Sequence, residues 1–262
     1  MEISYTIKRR NCPLISAALH DGHFIPPHVL DEVLLKEHER FREEDPYTSF
    51  FANLPTNQVI VHTSRFMVDM NRSPDKAIYK VPEDAWGLHI WKNIFPDQLE
   101  KELMAYYFRF YQDMTALITD TIQSFGHFLI LDIHSYNHRR ESPQKASPIL
   151  ENPEINLGTA YNLPKWRPII DRFISYLSAG KIGGKPIDVR ENIKFKGGGF
   201  SQWVTKTYGE KGCVLSIEFK KTFMDEWTGR GDIPHIRKIN DLLKKAIPSL
   251  LNEMAHSKNV KS

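Results

Sequence analysis

Residues 128–134, Phe-Leu-Ile-Leu-Asp-Ile-His, make an apolar run of strand length that ends on Asp132 and His134. A second run, Pro13-Leu-Ile-Ser-Ala-Ala-Leu19, leads in the same way into His20-Asp21-Gly22-His23. Short continuous apolar runs are the pattern of strands covered on both faces, as in α/β sheets, and ligands in such sheets gather outside the carboxyl ends of the strands. The two histidine groups therefore mark where chemistry is expected, and together they read as one divided metal site.

Working outward, strands and helices alternate. Strands are expected at Glu2–Ile7, Leu14–Leu19, Ile187–Arg190 and Cys213–Phe219, with short β-prone runs at Asn57–His62 and Phe66–Val68. Helices are expected over Asp31–Arg42, Trp166–Leu177, Phe200–Thr207 and Ile233–Met254. The clearest helix is Pro96–Ser124, where Leu99, Leu103, Tyr106, Tyr107, Phe110, Met114, Leu117, Ile118 and Ile122 recur at three- and four-residue spacing before Gly126. Such an aromatic stripe is read as core packing rather than a cofactor box. The polar stretch Ser135–Asn152 is read as a loop or lid.

The 262 residues, 41% hydrophobic and 26% charged, suit one α/β domain over the whole chain. A formal net charge of +3, with Lys and Arg dispersed, gives no vote for nucleic acid. No stretch reaches the roughly 20 apolar residues of a membrane span, and the basic start of the chain lacks the apolar segment of a signal peptide. Cys12 and Cys213 are too few for a disulfide framework or a thiolate zinc site. A cytoplasmic protein is the expectation; the sequence leaves the oligomeric state open.

Three constellations can carry reactions. Zinc binds His nitrogen and carboxylate oxygen, with three protein ligands and an open position in catalytic sites, and His20, His23 and His134 could supply such a set. Asp132, two residues before His134, can share its face of the strand and fix the tautomer of the ring. The second constellation is Arg65-Phe-Met-Val-Asp69-Met-Asn71-Arg72, whose guanidinium groups suit a substrate carboxylate; a surface ion pair between Asp69 and Arg72 is the plainer alternative. The third is Glu218, a carboxylate inside the apolar run Val214–Phe219, where burial would raise its pKa toward that of a general base. A glutamate facing solvent at a strand edge would look the same.

Together the fragments resemble the N-formylglutamate amidohydrolase family. The resemblance rests on Leu19-His20-Asp21-Gly22 with Ile25-Pro26, Ser64-Arg65 through Asn71-Arg72 with Ile78-Tyr79, and Leu131-Asp132-Ile133-His134-Ser135. Asn156-Leu157-Gly158-Thr159, Phe195-Lys196-Gly197-Gly198 and Ser216-Ile217-Glu218 complete it, in that order along most of the chain. The family is similar to zinc carboxypeptidase and aspartoacylase folds, which implies a three-layer α/β/α hydrolase-like domain with a central mixed sheet.

The resemblance further implies His20 and His134 as zinc ligands and Glu218 as the base that activates water. Asn71 and Arg72, with Arg65 beside them, inherit substrate binding, and Asp69 and Asp132 stand behind the ligands. Where carboxypeptidase-like relatives carry a glutamate three residues after the first histidine, this chain has His23, which is kept as the remaining ligand with Asp21 as the alternative. The expected reaction is hydrolysis of an N-formyl or other N-acyl amino acid, with N-formyl-L-glutamate giving formate and L-glutamate. A zinc amidase or peptidase of other substrate choice, and a noncatalytic module that binds acidic metabolites, remain the alternatives.

Overall fold

In the computed structural model, which describes residues 4–259 except 94, 146 and 183, the two apolar runs lie side by side as parallel strands. The strands are β1 (Tyr5–Lys8), β2 (Leu14–Ala18), β3 (Asn57–Val61), β4 (Phe128–Tyr136), β5 (Ile155–Gly158), β6 (Lys181–Ile182), β7 (Lys185–Pro186), β8 (Val189–Glu191) and β9 (Gly212–Lys220). The helices are α1 (Pro27–Leu30), α2 (Glu37–Glu43), α3 (Thr48–Phe51), α4 (Asp97–Phe125), α5 (Arg167–Ser178), α6 (Gly199–Tyr208) and α7 (Ile233–Asn259).

Seven strands form one mixed sheet in the order β1-β3-β2-β4-β9-β5-β8, while β6 and β7 form a small hairpin. The central strands β3, β2, β4 and β9 are parallel; β1 and β5 join them antiparallel. The carboxyl ends of β2, β3, β4 and β9 therefore open at one edge of the sheet. Among the described residues the segment between β4 and β5 contains no α-helix, and β5 runs antiparallel to β9.

Alternation along the strands decides which layer each side chain joins. Leu129, Leu131 and Ile133 of β4, with Cys213, Leu215 and Ile217 of β9, pack under α3, α5 and α7. Phe128, Ile130 and Val214 face the other way, against Phe110, Met114 and Leu117 of α4 and Phe200 and Val204 of α6. Asp132, His134, Ser216 and Glu218 continue this second set of positions, so the sheet aims them into the layer that carries α4 and α6. The architecture is the three-layer α/β/α arrangement with a mixed sheet that the sequence implied.

Several local expectations are corrected. The stretch Asp31–Arg42 is not one helix: α1 ends at Leu30, Val33 makes an isolated bridge with Trp91, and the chain becomes helical again only at Glu37. Phe66–Val68 is a turn whose side chains are buried, its apolar character serving the core rather than a ladder. Strand β4 runs two residues beyond His134, to Tyr136. The β5 strand, four residues long, has too little pattern to stand out in the sequence.

Candidate active site

The strand register brings the third constellation to the first. His134 pairs with Glu218 across β4 and β9, and Asp132 pairs with Ser216, whose hydroxyl donates to Asp132 Oδ2 at 3.1 Å. His20 follows β2 on the other flank of β4, and the centres of the His20 and His134 rings are 4.8 Å apart. Both imidazoles are buried.

The group that meets them is Asp45. Its Oδ2 lies 3.3 Å from His20 Nδ1 and 3.1 Å from His134 Nδ1, and the three residues form a buried cluster with potential ligand atoms within 4.8 Å of one another. Ser135 donates its hydroxyl to Asp45 Oδ1 at 3.2 Å. Asp45 stands just past the end of α2, where its amide donates to the His20 carbonyl at 2.8 Å. The buried Lys221 ammonium secures the same turn by donating to the carbonyls of Arg42 and Glu44, each at 2.7 Å. Sequence reasoning passed over both residues. Glu44-Asp45-Pro46 does carry a signal, an acid pair ahead of a proline that stops a helix, but nothing local ties it to His20.

His23 is not brought to this point. Its Nδ1 lies 2.5 Å from Glu44 Oε2 and its Nε2 3.7 Å from Glu37 Oε1, on the half-buried outer side of α2. The cause is the path of the chain after His20. Gly22 passes so close to the next strand connection that a Cβ would stand 2.3 Å from the His62 carbonyl carbon, and Phe24 then bridges to Thr63. Residues 22–24 thus run alongside residues 62–64 and carry His23 away from His134. Asp21 is also elsewhere, accepting from the Ser49 amide at 2.9 Å. In the place expected for His23 the structure puts Asp45.

The outer nitrogens of the two rings are held by buried carboxylates. His20 Nε2 lies 2.6 Å from Asp69 Oδ1, and His134 Nε2 lies 2.9 Å from Asp132 Oδ1. A ring that donates from Nε2 leaves Nδ1 to offer a lone pair, the usual device for orienting a metal-binding histidine. A tetrahedral metal with bonds of about 2.0–2.1 Å separates its ligand atoms by roughly 3.3 Å. The two separations around Asp45 Oδ2, 3.3 and 3.1 Å, match that edge, and the third pair of ligand atoms lies within 4.8 Å; in chemical type the two imidazoles and one carboxylate suit a zinc-like divalent ion.

The electrostatics agree. Burial opposes charge on His134, yet the Asp132 carboxylate, with Asp45 and Glu218, holds its pKa well above the usual histidine value. Burial likewise opposes ionisation of Asp45, but its bonds to His134 and His20 keep it below the ordinary carboxylate range. The site favours a positive charge at its centre, whether proton or metal.

Asp69 links this centre to the second constellation. It accepts from Arg65 Nη2 at 2.8 Å, from the Tyr79 hydroxyl and from the Asn71 amide at 2.7 Å. The charges of His20 and Arg65 outweigh burial and keep Asp69 well below its ordinary pKa. Asn71 Nδ2 lies 3.3 Å from His134 Nε2, while its Oδ1 accepts from the Phe200 amide at the start of α6. The glycines of Lys196-Gly197-Gly198-Gly199 allow this approach: a Cβ on Gly198 would stand 2.2 Å from Asn71 Oδ1, and Gly197 has φ +116°. Arg72 is only partly buried, with Nη2 donating to the Asp84 carbonyl at 3.2 Å.

His20, Asp45, His134, Arg65, Asp69, Asn71 and Arg72 line one cleft of about 370 Å³, together with Glu218, Trp86, Arg140, Lys194 and Lys221. Among the described residues no hydrogen bond holds the Glu218 carboxylate. Burial raises its pKa to about 8, with His134 pulling the other way and Asp45 and Asp132 adding to the rise. A carboxylate so placed can exchange a proton near neutral pH. Burial also lowers the Lys221 pKa to about 8, against the opposing pull of Asp45 and Glu43.

Comparison with known proteins places the chain in a family and agrees with its fold. The family model for N-formylglutamate amidohydrolase matches residues 12–224. The chain is similar to the crystal structure of N-formylglutamate amidohydrolase from Ralstonia eutropha JMP134, with a TM-score of 0.72, 18% identity and coverage of 95% of this chain and 98% of that one. It is also similar to the structure of a gene product from Agrobacterium tumefaciens, with a TM-score of 0.65, 16% identity and coverage of 94% and 96%. These likenesses bear on the fold. No curated protein matches the chain significantly.

Proposed function

The chain belongs to the N-formylglutamate amidohydrolase family, and from that premise we propose that it is a metal-dependent amidohydrolase that cleaves an N-formyl amino acid, N-formyl-L-glutamate first among them. The observation that carries this reading is the convergence of His20, Asp45 and His134 beside the unengaged Glu218 carboxylate in one cleft.

His20, Asp45 and His134 would hold the divalent ion, zinc by the character of the donors. When bound, such an ion polarises an acyl carbonyl and acidifies water. Glu218 takes a proton from the attacking water and returns it to the nitrogen as the carbon–nitrogen bond breaks, so that water and the amide become formate and the free amine. The raised pKa of Glu218 suits both halves of this exchange, since the group must accept and then give up the same proton. Arg72, partly exposed in the cleft, grips the α-carboxylate, with Asn71 beside it. Arg65 is committed to Asp69 and Tyr79, so its service is to fix Asp69 behind His20 and to add positive charge to the cleft wall.

The experiment is a panel of N-formyl, N-acetyl and larger N-acyl amino acids, incubated with metal-loaded protein and assayed for released amine. Turnover led by N-formyl-L-glutamate supports the proposal. Release from peptides but not from N-acyl amino acids would turn the reading toward a peptidase, and binding without release would turn it toward a noncatalytic module.

A further inference from the structure

A dicarboxylic substrate needs two cationic partners, and the cleft draws cations from separate parts of the chain. Arg65 and Arg72 follow β3, whereas Arg140 lies after β4 and Lys194 after β8. We propose that Arg140 and Lys194 form a subsite that reads the side-chain carboxylate of an N-acyl dicarboxylic amino acid, distinct from the grip of Arg72 on the α-carboxylate. The inference rests on the amidohydrolase reading above and adds the residues that choose the substrate.

The contacts of the Lys194 ammonium are neutral: Asn152 Oδ1 at 2.9 Å and the face of Tyr136, whose ring centre is 5.3 Å away. Arg140 is paired with Glu43, at 2.9 Å between Nη2 and Oε2, and its guanidinium lies 5.7 Å from the centre of the Trp86 ring. Trp86 also carries the Arg65 guanidinium at 4.9 Å, and it does so from a left-handed backbone with φ 55°, uncommon for so bulky a side chain. The Trp86 ring thus meets two of the cleft's cations, Arg65 and Arg140.

Counting charges along the wall, Arg65, Arg72, Arg140, Lys194, Lys196 and Lys221 face Glu43, Asp45, Asp69 and Glu218. Two of those four acids, Asp45 and Asp69, are bonded to the histidines, and Glu43 is bonded to Arg140. Among the described residues Lys194 makes no ion pair, although the charge of Glu151 reaches it. Burial and the neighbouring Arg140 charge hold its pKa below the ordinary lysine value, against the opposing pull of Glu151. A carboxylate placed beside Lys194 and Arg140 supplies a counter-charge; a carboxamide of the same shape does not.

The test compares steady-state kinetics of the metal-loaded protein on N-formyl-L-glutamate and on its uncharged isostere N-formyl-L-glutamine. Wild type is expected to favour the acid by at least about 10-fold in kcat/KM, and Lys194→Met and Arg140→Met each to narrow that preference by about 10-fold, chiefly through KM. Lys194→Arg, which keeps the charge, should retain the preference. A preference that survives both methionine variants, equal losses on both substrates, or a wild type that favours the amide would overturn the subsite while leaving the amidohydrolase reading in place. Turnover of neither substrate by wild type, with no other N-acyl amino acid cleaved, would overturn that reading and the subsite with it.

Discussion

Asp45 and His20 are joined twice: the Asp45 amide donates to the His20 carbonyl at 2.8 Å, and Asp45 Oδ2 stands 3.3 Å from His20 Nδ1. The backbone bond fixes where the carboxylate can reach, and His134 completes the set from the neighbouring strand. On the proposed reading Asp45→Ala removes a metal ligand, so its affinity for zinc should fall by more than the roughly 10–100-fold that loss of an outer partner costs. His23→Ala should bind zinc like wild type. Competition against a chromogenic chelator measures both, and equal losses in the two variants would return His23 to the ligand set.

The buried carboxylates behind the rings give a second prediction. Asp132 holds His134 Nε2 at 2.9 Å and Asp69 holds His20 Nε2 at 2.6 Å. Asp132→Asn should lower metal affinity or kcat by about 10–100-fold without removing the site. Metal titration together with kinetics checks this. An unchanged variant would mean that ring orientation does not depend on Asp132.

On the proposed reading Glu218 sets the pH dependence. A general base works only when ionised, so activity should fall as pH drops through its pKa. That pKa is about 8 when burial dominates, and a bound divalent cation draws it lower. The acid limb of kcat/KM should therefore lie below pH 8 in the metal-loaded protein. Glu218→Gln should keep its metal and lose about 100- to 10,000-fold in kcat. A Gln variant with wild-type turnover and the same acid limb would remove Glu218 from the mechanism.

Gly198 tests the cradle around Asn71. Because a Cβ would stand 2.2 Å from Asn71 Oδ1, Gly198→Ala must displace either the Asn71 side chain or the start of α6. Misplacement on the scale of an ångström costs up to about 100-fold in catalysis, which should appear in kcat/KM with metal content intact. Kinetics and metal analysis on the same preparation decide the matter; wild-type kinetics would show the contact to be slack.

Much of this was legible in the sequence because it lies on periodic elements. The apolar runs ending at His20 and His134 are parallel neighbours in the sheet, and the alternation that brings Glu218 to the face of His134 is written in Val214–Phe219. Asp69 and Asp132 were readable as carboxylates behind the candidate ligands. Asp45 was not, since it occupies an aperiodic turn 25 residues from His20 and meets it only through tertiary packing. The three-residue spacing of His20 and His23 suggested a shared target, but spacing cannot show the close passage of Gly22 along residues 62–63 that turns His23 toward Glu44. The cations Arg140 and Lys194 were hidden in the same way, on segments whose only common feature is the cleft they line.

The most direct measurement is formate release from N-formyl-L-glutamate by protein stripped with a chelator and then reloaded with zinc. The account predicts no release from the stripped protein, recovery on addition of a single equivalent of metal, and no recovery in Asp45→Ala at that dose. Release that persists at full rate after stripping, or that fails in every metal-loaded preparation, would contradict it.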